Sequence, residues 1–159
     1  MSPQIAFLGA GNMATAMITG LITQGFSPAQ LRACDPSEDA LSRLEAAGLT
    51  RLSTSPERLF ADVDLAVLAV KPQVAPNALS SIGHELSSGA ALLSIAAGIT
   101  ISSLRRHVKT DVAVIRCMPN TPAMIGLGAS ALYAGADVKR DHRALAEQVT
   151  NAAGTTAWV

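Results

Sequence analysis

Residues Gln4–Gly20, QIAFLGAGNMATAMITG, decide the fold. Ile5, Ala6, Phe7 and Leu8 form a short apolar run, as expected of one strand buried on both faces. The run stops at Gly9-Ala10-Gly11, and the hydrophobic period then changes. Met13, Met17 and Leu21, with Ile18 and Ile22, recur at helical spacing. The chain therefore turns from strand to helix across glycines, in a G-x-G-x-x-A pattern with Ala14 in the third place. Gly9 permits the tight turn, Gly11 lets a pyrophosphate approach the backbone, and small Ala14 lets helix and strand pack closely. The free N–H groups and positive dipole end of the helix then face the phosphates. Strand, glycine turn and helix together point to a dinucleotide.

Composition narrows the class. At 159 residues the chain is expected to form one domain, 1–159, large enough for a core of its own. Twelve basic and 12 acidic residues cancel, and no basic run stands out, which argues against a nucleic-acid partner. No charged amphipathic helix suggests a membrane surface, and no apolar stretch is long enough to span one. The N-terminus runs straight into the first strand without a signal peptide, so a cytoplasmic protein is expected. Cys34 and Cys117 are far apart in sequence and read as reduced and buried rather than as a disulfide or metal site.

Further strands and helices alternate along the chain. Leu31–Asp35 reads as the second strand, and Asp35 at its end lies where a doubly wound unit meets the adenosine ribose. Asp35 also suits a helix N-cap, with Pro36 at the first helical position and Gly48 closing that helix. A weak strand is expected at Thr50–Leu52 and a single helical turn at Pro56–Phe60. Asp64–Val70 is a buried strand running into Lys71-Pro72, and Pro76 shortens or breaks the helix that continues to Leu86. Ala90–Ile95 and Val112–Cys117 are further strands, with Thr100 or Ser102 capping a short helix between them. Ala129–Tyr133 and Thr155–Val159 complete the strands on either side of a helix over Asp141–Ala152. The pattern predicts an α/β fold of Rossmann type, a doubly wound, mostly parallel sheet with helices on both faces. Short connections near the end allow one of the last two strands to run antiparallel.

The special residues then share one rim. Gly9, Asp35, Val70-Lys71, Ala97-Gly98 and Pro119-Asn120 all follow the carboxyl end of a predicted strand, where open parallel sheets bind ligands. Small Ala96, Ala97 and Gly98 let a flat ring lie close to the backbone. Lys71 can reach phosphate or ribose oxygens or simply be solvated, and Asn120 can face a nicotinamide or serve turn chemistry between two prolines. His84, His107 and His142 lack metal-ligand spacing. No G-x-S-x-G elbow and no G-x-x-x-x-G-K-[ST] loop is present, and no catalytic residue is indicated.

IAFLGAGNMA, LAVLAVKPQ, LLSIAAGITISSL and VIRCMPNTPAMIGLGASALYA together resemble pyrroline-5-carboxylate reductase over essentially the whole chain. The resemblance covers only the first half of that family. It implies reduction of a cyclic imine to proline, in proline biosynthesis, with NADP (NADPH) or NAD as cofactor. It places Ala10, Asn12 and Met13 in the phosphate loop and Asp35, Pro36 and Ser37 at the adenosine ribose. Ala69, Val70, Lys71 and Pro72 follow the ribose and diphosphate, and Ala97 and Asn120 lie near the nicotinamide. Family members preferring NADPH often carry Ser, Asn or Arg where Asp35 stands, because a carboxylate repels a 2′-phosphate. Ser37 and the turn N–H groups can still hold one, so the preference stays open. The helical second domain, with the homo-oligomer contacts and the loops that grip the small imino-acid substrate, is absent, so the chain reads as a fragment. Two other readings are a stand-alone NAD(P)-binding or redox-sensing module, and another beta-hydroxyacid-type dehydrogenase. The latter usually needs a catalytic lysine on a later helix.

Overall fold

Alternate residues of the first strand go to opposite sides of one sheet. In the computed structural model, which describes residues 1–159, Ile5 and Phe7 of β1 (Ile5–Leu8) enter a core cluster of 27 buried residues, while Ala6 and Leu8 enter a second cluster of 17. The same division holds for β2 (Leu31–Cys34), β4 (Leu65–Leu68) and β5 (Ala91–Ser94), whose residues are all buried. A strand packed on both faces is apolar along most of its length, which is why these segments show no alternation. The buried exceptions are Arg32 on β2 and Ser94 on β5, which join neither cluster.

β3 (Arg51–Ser53), β6 (Ala113–Met118), β7 (Gly128–Ala134) and β8 (Gly154–Trp158) complete one eight-stranded sheet. The order is β3-β2-β1-β4-β5-β6-β7-β8. β1 to β6 run parallel, β7 is antiparallel to β6, and β8 is parallel to β7. Both of the last strands are therefore reversed, not one. Residues 119–127 are too few for a parallel crossover, which takes about a dozen residues, whereas a helix separates β7 from β8.

Helices α1 (Asn12–Thr23), α2 (Glu38–Ala46) and α5 (Arg140–Asn151) supply the larger core cluster. Helices α3 (Ala75–Ile82) and α4 (Ile101–Arg105) supply the smaller one on the opposite face. Pro76 does not break α3, because it sits in the first turn, where no intrahelical N–H is needed. Thr100 caps α4 by accepting from the Ser103 N–H at 3.2 Å. Pro56–Phe60 forms turns and not a helix, and Arg58 takes a positive φ of 60°.

Coverage is uneven. On β7, Leu132 is buried in the larger cluster, but Ala129 and Tyr133 on the other side are exposed. No residue of β7 or β8 belongs to the smaller cluster, so one face of these two strands has no helix over it. The order of strands reverses direction between β1 and β4, and the rim at that reversal is where open sheets place their ligands.

Candidate functional site

At the carboxyl ends of β1, β2 and β4 the chain surrounds a cleft of about 670 Å³, within the range of small-molecule sites. Its floor carries Leu8, Gly9, Gly11 and Cys34, with Ala69 and Lys71 beside them. The two glycines differ in what requires them. Gly9 has φ +106°, and a Cβ there would lie 2.3 Å from the Ala69 carbonyl oxygen, so the protein itself demands glycine. Gly11 has an ordinary extended backbone (φ −73°, ψ −171°), and a Cβ would meet nothing within 4 Å. No protein atom explains the second glycine. The space it leaves is open to a ligand.

Gly11 is also the N-cap of α1, and no side chain accepts from that helix end. No acidic residue occupies the first turn. The unpaired N–H groups and the positive end of the dipole are thus free for an anion. Ala14, 1% exposed, seats the helix against the sheet as its small size suggests.

Asp35 links two turns. Its Oδ2 accepts from the Ala10 N–H at 2.8 Å and its Oδ1 from the Ser37 N–H at 2.8 Å. The N-cap of α2 is Ser37, whose Oγ accepts from the Ala40 N–H at 3.3 Å, and not Asp35. The capping role read for Asp35 moves two residues on, and its carboxylate instead joins the glycine turn to the β2–α2 turn. At the same floor, burial and then the neighbouring Asp35 charge push the Cys34 thiol up to about 11. The side chain is a neutral thiol at physiological pH.

Of the residues singled out by sequence, Gly9, Gly11, Asp35, Pro36, Ala69, Val70 and Lys71 line this one cleft. Ala10, Asn12 and Met13 belong to the same glycine turn, with Met13 half-buried against the core, and Ser37 and Pro72 adjoin lining residues. Ala97 and Gly98, exposed after β5, and Asn120, exposed after β6, lie along the rim beyond the cleft. Asn120 is partly committed: its Oδ1 accepts from the Ala129 N–H at 2.8 Å, bracing the start of β7. Thr54 and Pro56 after β3, and Asn77, Ala78 and Ser81 on α3, also line the cleft. The rule applied to the other strand ends would have found Thr54, but β3 is too short and polar to mark its end clearly. The α3 stripe was obscured by the prolines before it.

Residues 4–98, the span that builds this cleft, match the family model described as NADP oxidoreductase, coenzyme F420-dependent. The chain belongs to that family. It is 39% identical over 158 residues to the pyrroline-5-carboxylate reductase of Pseudomonas aeruginosa, covering 99% of this chain and 58% of that protein. Among solved structures, a pyrroline-5-carboxylate reductase from Coxiella burnetii superposes with a TM-score of 0.94 at 29% identity, over 100% of this chain and 59% of the other. The Plasmodium falciparum pyrroline carboxylate reductase with NADP bound gives 0.82 at 26% identity, over 99% and 58%. The resemblance carried by the motifs therefore extends through the whole chain, which spans somewhat over half the length of these relatives.

Proposed function

We propose that this chain is the dinucleotide-binding domain of a pyrroline-5-carboxylate reductase. The observation that carries the proposal is Gly11, a glycine that no protein contact requires, at an uncapped helix N-terminus beside a cleft of nucleotide size. The likeness to pyrroline-5-carboxylate reductases across the full chain supports the substrate. The reaction adds hydride to the imine carbon and a proton to the ring nitrogen of 1-pyrroline-5-carboxylate, giving proline.

NADPH or NADH supplies the hydride when bound. The chain's own residues bind and orient. The N–H groups of Gly11, Asn12 and Met13 hold the diphosphate against the helix end. Asp35, Pro36 and Ser37 meet the adenosine ribose, with Asp35 keeping the glycine turn in register. Ala69, Val70, Lys71 and Pro72 run beneath the ribose and diphosphate, where exposed Lys71 adds a positive charge. Ala97, Gly98 and Asn120 continue the rim towards the nicotinamide, where small side chains let the ring lie flat. No acid or carboxylate clamp for the substrate stands on this rim, and that role falls to a second, helical domain, which also makes the homo-oligomer. Exposed Met118, Ile125, Leu127 and Tyr133 support such a domain as their covering. The enzyme acts in the cytoplasm, in proline biosynthesis, without nucleic-acid or membrane partners.

Gly11→Val is the test. Titration with NADPH followed by fluorescence is expected to show binding by the unaltered chain and loss of it in the variant, with circular dichroism unchanged. Equal affinity in a folded variant would overturn the diphosphate assignment. In the accompanying assay the 159-residue chain is expected to bind NAD(P)H but not to oxidise it with pyrroline-5-carboxylate, since positioning provides much of such an acceleration. Turnover at the rate of a two-domain reductase would place the substrate site on this rim.

A further inference from the structure

Residues 54–62, between β3 and β4, wall one side of the cleft through Thr54 and Pro56 but contain no helix or strand. Arg58 and Asp62 hold φ values of 60° and 56°, in the left-handed region that favours glycine. Such a segment keeps one shape only if its surroundings impose it. Two side chains do so. Arg32, on β2, donates from Nη1 to the carbonyl oxygens of Leu59 at 3.0 Å and Ala61 at 2.7 Å. Glu85, beyond the end of α3, accepts from the Arg58 N–H at 2.7 Å on Oε1 and from the Phe60 N–H at 3.2 Å on Oε2. The N–H groups of Arg58 and Phe60 thus go to one side chain and the carbonyls of Leu59 and Ala61 to the other, four successive residues being held. Phe60, fully buried, plugs the segment into the smaller core cluster.

Arg32 is an expensive way to achieve this. It is 5% exposed, its Nε has no partner, and the only ion pair in the structure is elsewhere, between Arg105 and Asp137. A buried guanidinium without a paired carboxylate is costlier than an apolar side chain of similar size. What it supplies at this position is geometry. Glu85 extends that geometry across the cleft, because α3 carries the facing wall of Asn77, Ala78 and Ser81.

We propose that Arg32 and Glu85 are positioning residues for the adenosine end of the dinucleotide, clamping residues 58–61 and thereby setting the distance between the Thr54–Pro56 wall and α3. Neither lines the cleft, and the proposal rests on the dinucleotide reading above. The variants are Arg32→Met, which removes both donations to the segment and the longer one from Nη2 to Gln4 Oε1 at 3.5 Å, and Glu85→Gln, which turns an amide donor towards one of the two backbone N–H groups. NADPH and ADP are titrated into each by calorimetry, and hydrogen exchange is followed over residues 54–62. Both ligands are expected to bind about tenfold more weakly, by the same factor, because the loss lies at the end they share. Exchange at the Arg58 and Phe60 amides is expected to quicken. A role confined to stability would lower the melting temperature and leave both affinities of the folded fraction unchanged, and that result overturns the clamp. Should Arg32→Met not fold, Glu85→Gln decides the matter alone. Failure of the unaltered chain to bind either ligand overturns the dinucleotide reading and the clamp with it, whereas binding that the variants leave unaltered overturns the clamp alone.

Discussion

The two ends of the sheet are built on different terms. At β1 and β4 helices cover both faces, and Ile5, Ala6, Phe7 and Leu65 to Leu68 are all 0% exposed. At β7 and β8 only one face is covered, and Tyr133 is 52% exposed. The first arrangement requires an uninterrupted apolar run and lines up strand ends to make a ligand rim. The second leaves alternation in the sequence and a bare surface. The candidate site lies at the doubly covered end, where the strand leading into the Gly9–Gly11 turn is buried on both sides.

The sharpest contrast is in stability. Phe7→Ala empties a fully buried site and is expected to cost about 3–5 kcal/mol, while Tyr133→Ala on the bare face changes stability by no more than about 0.5 kcal/mol. Urea unfolding of the two variants measures both. Similar losses would mean that the open face is covered in solution.

Within the rim itself, Gly9 and Gly11 should separate fold from function. Gly9→Ala places a Cβ 2.3 Å from the Ala69 carbonyl oxygen at φ +106°, and strain of this kind costs about 1–3 kcal/mol before the clash is added. Gly11→Val lies at an unstrained φ in open space and should cost no more than the roughly 1 kcal/mol that an apolar residue costs at a helix N-cap. A loss as large as that of Gly9→Ala would show that protein packing, not ligand space, dictates that glycine.

Asp35→Ser should give a smaller and more selective effect. It removes the acceptor for the Ala10 and Ser37 N–H groups, so both cofactors weaken. NADH should weaken more than NADPH, because the carboxylate that repels a 2′-phosphate is gone. The quantity to follow is the ratio of the two dissociation constants, and a ratio that stays fixed would leave Asp35 as a brace between turns only.

The slightest expected effect distinguishes neither end, since the two buried cysteines lie on the neighbouring strands, Cys34 on β2 beside β1 and Cys117 on β6 beside β7. Burial pushes the Cys34 and Cys117 thiols up to about 11 from 9.0, so above pH 9 the unfolded chain loses these protons first. Fewer protons on the unfolded state mean that stability falls as pH rises from about 9 to 11. Denaturation midpoints across that range should decline less steeply in the Cys34→Ala, Cys117→Ala double variant.

Much of this was legible in the residues. Ile5–Leu8, the glycine turn and the periodic helix after it announce a strand–turn–helix unit, because backbone sterics and hydrophobic period act locally. Asp64–Val70 and Ala90–Ile95 declare doubly buried strands for the same reason, and Gly9, Asp35 and Lys71 fall at strand ends by counting alone. The direction of β7 and β8 was not so plain: it depends on how far residues 119–127 can reach across the sheet. Nor could Asp35 be given its partner, since the Ala10 N–H it accepts from lies 25 residues away. Thr54, Pro56 and the α3 stripe joined the cleft only when β2, β3 and β4 came side by side. Arg32 reads as an ordinary polar residue in a short strand until Leu59 and Ala61 present their carbonyls to it. What the sequence determined by itself were the properties set by neighbours along the chain. Which distant groups satisfy each buried donor, charge and carbonyl was decided by the tertiary structure, because such groups must find partners and only packing brings the partners within 3 Å.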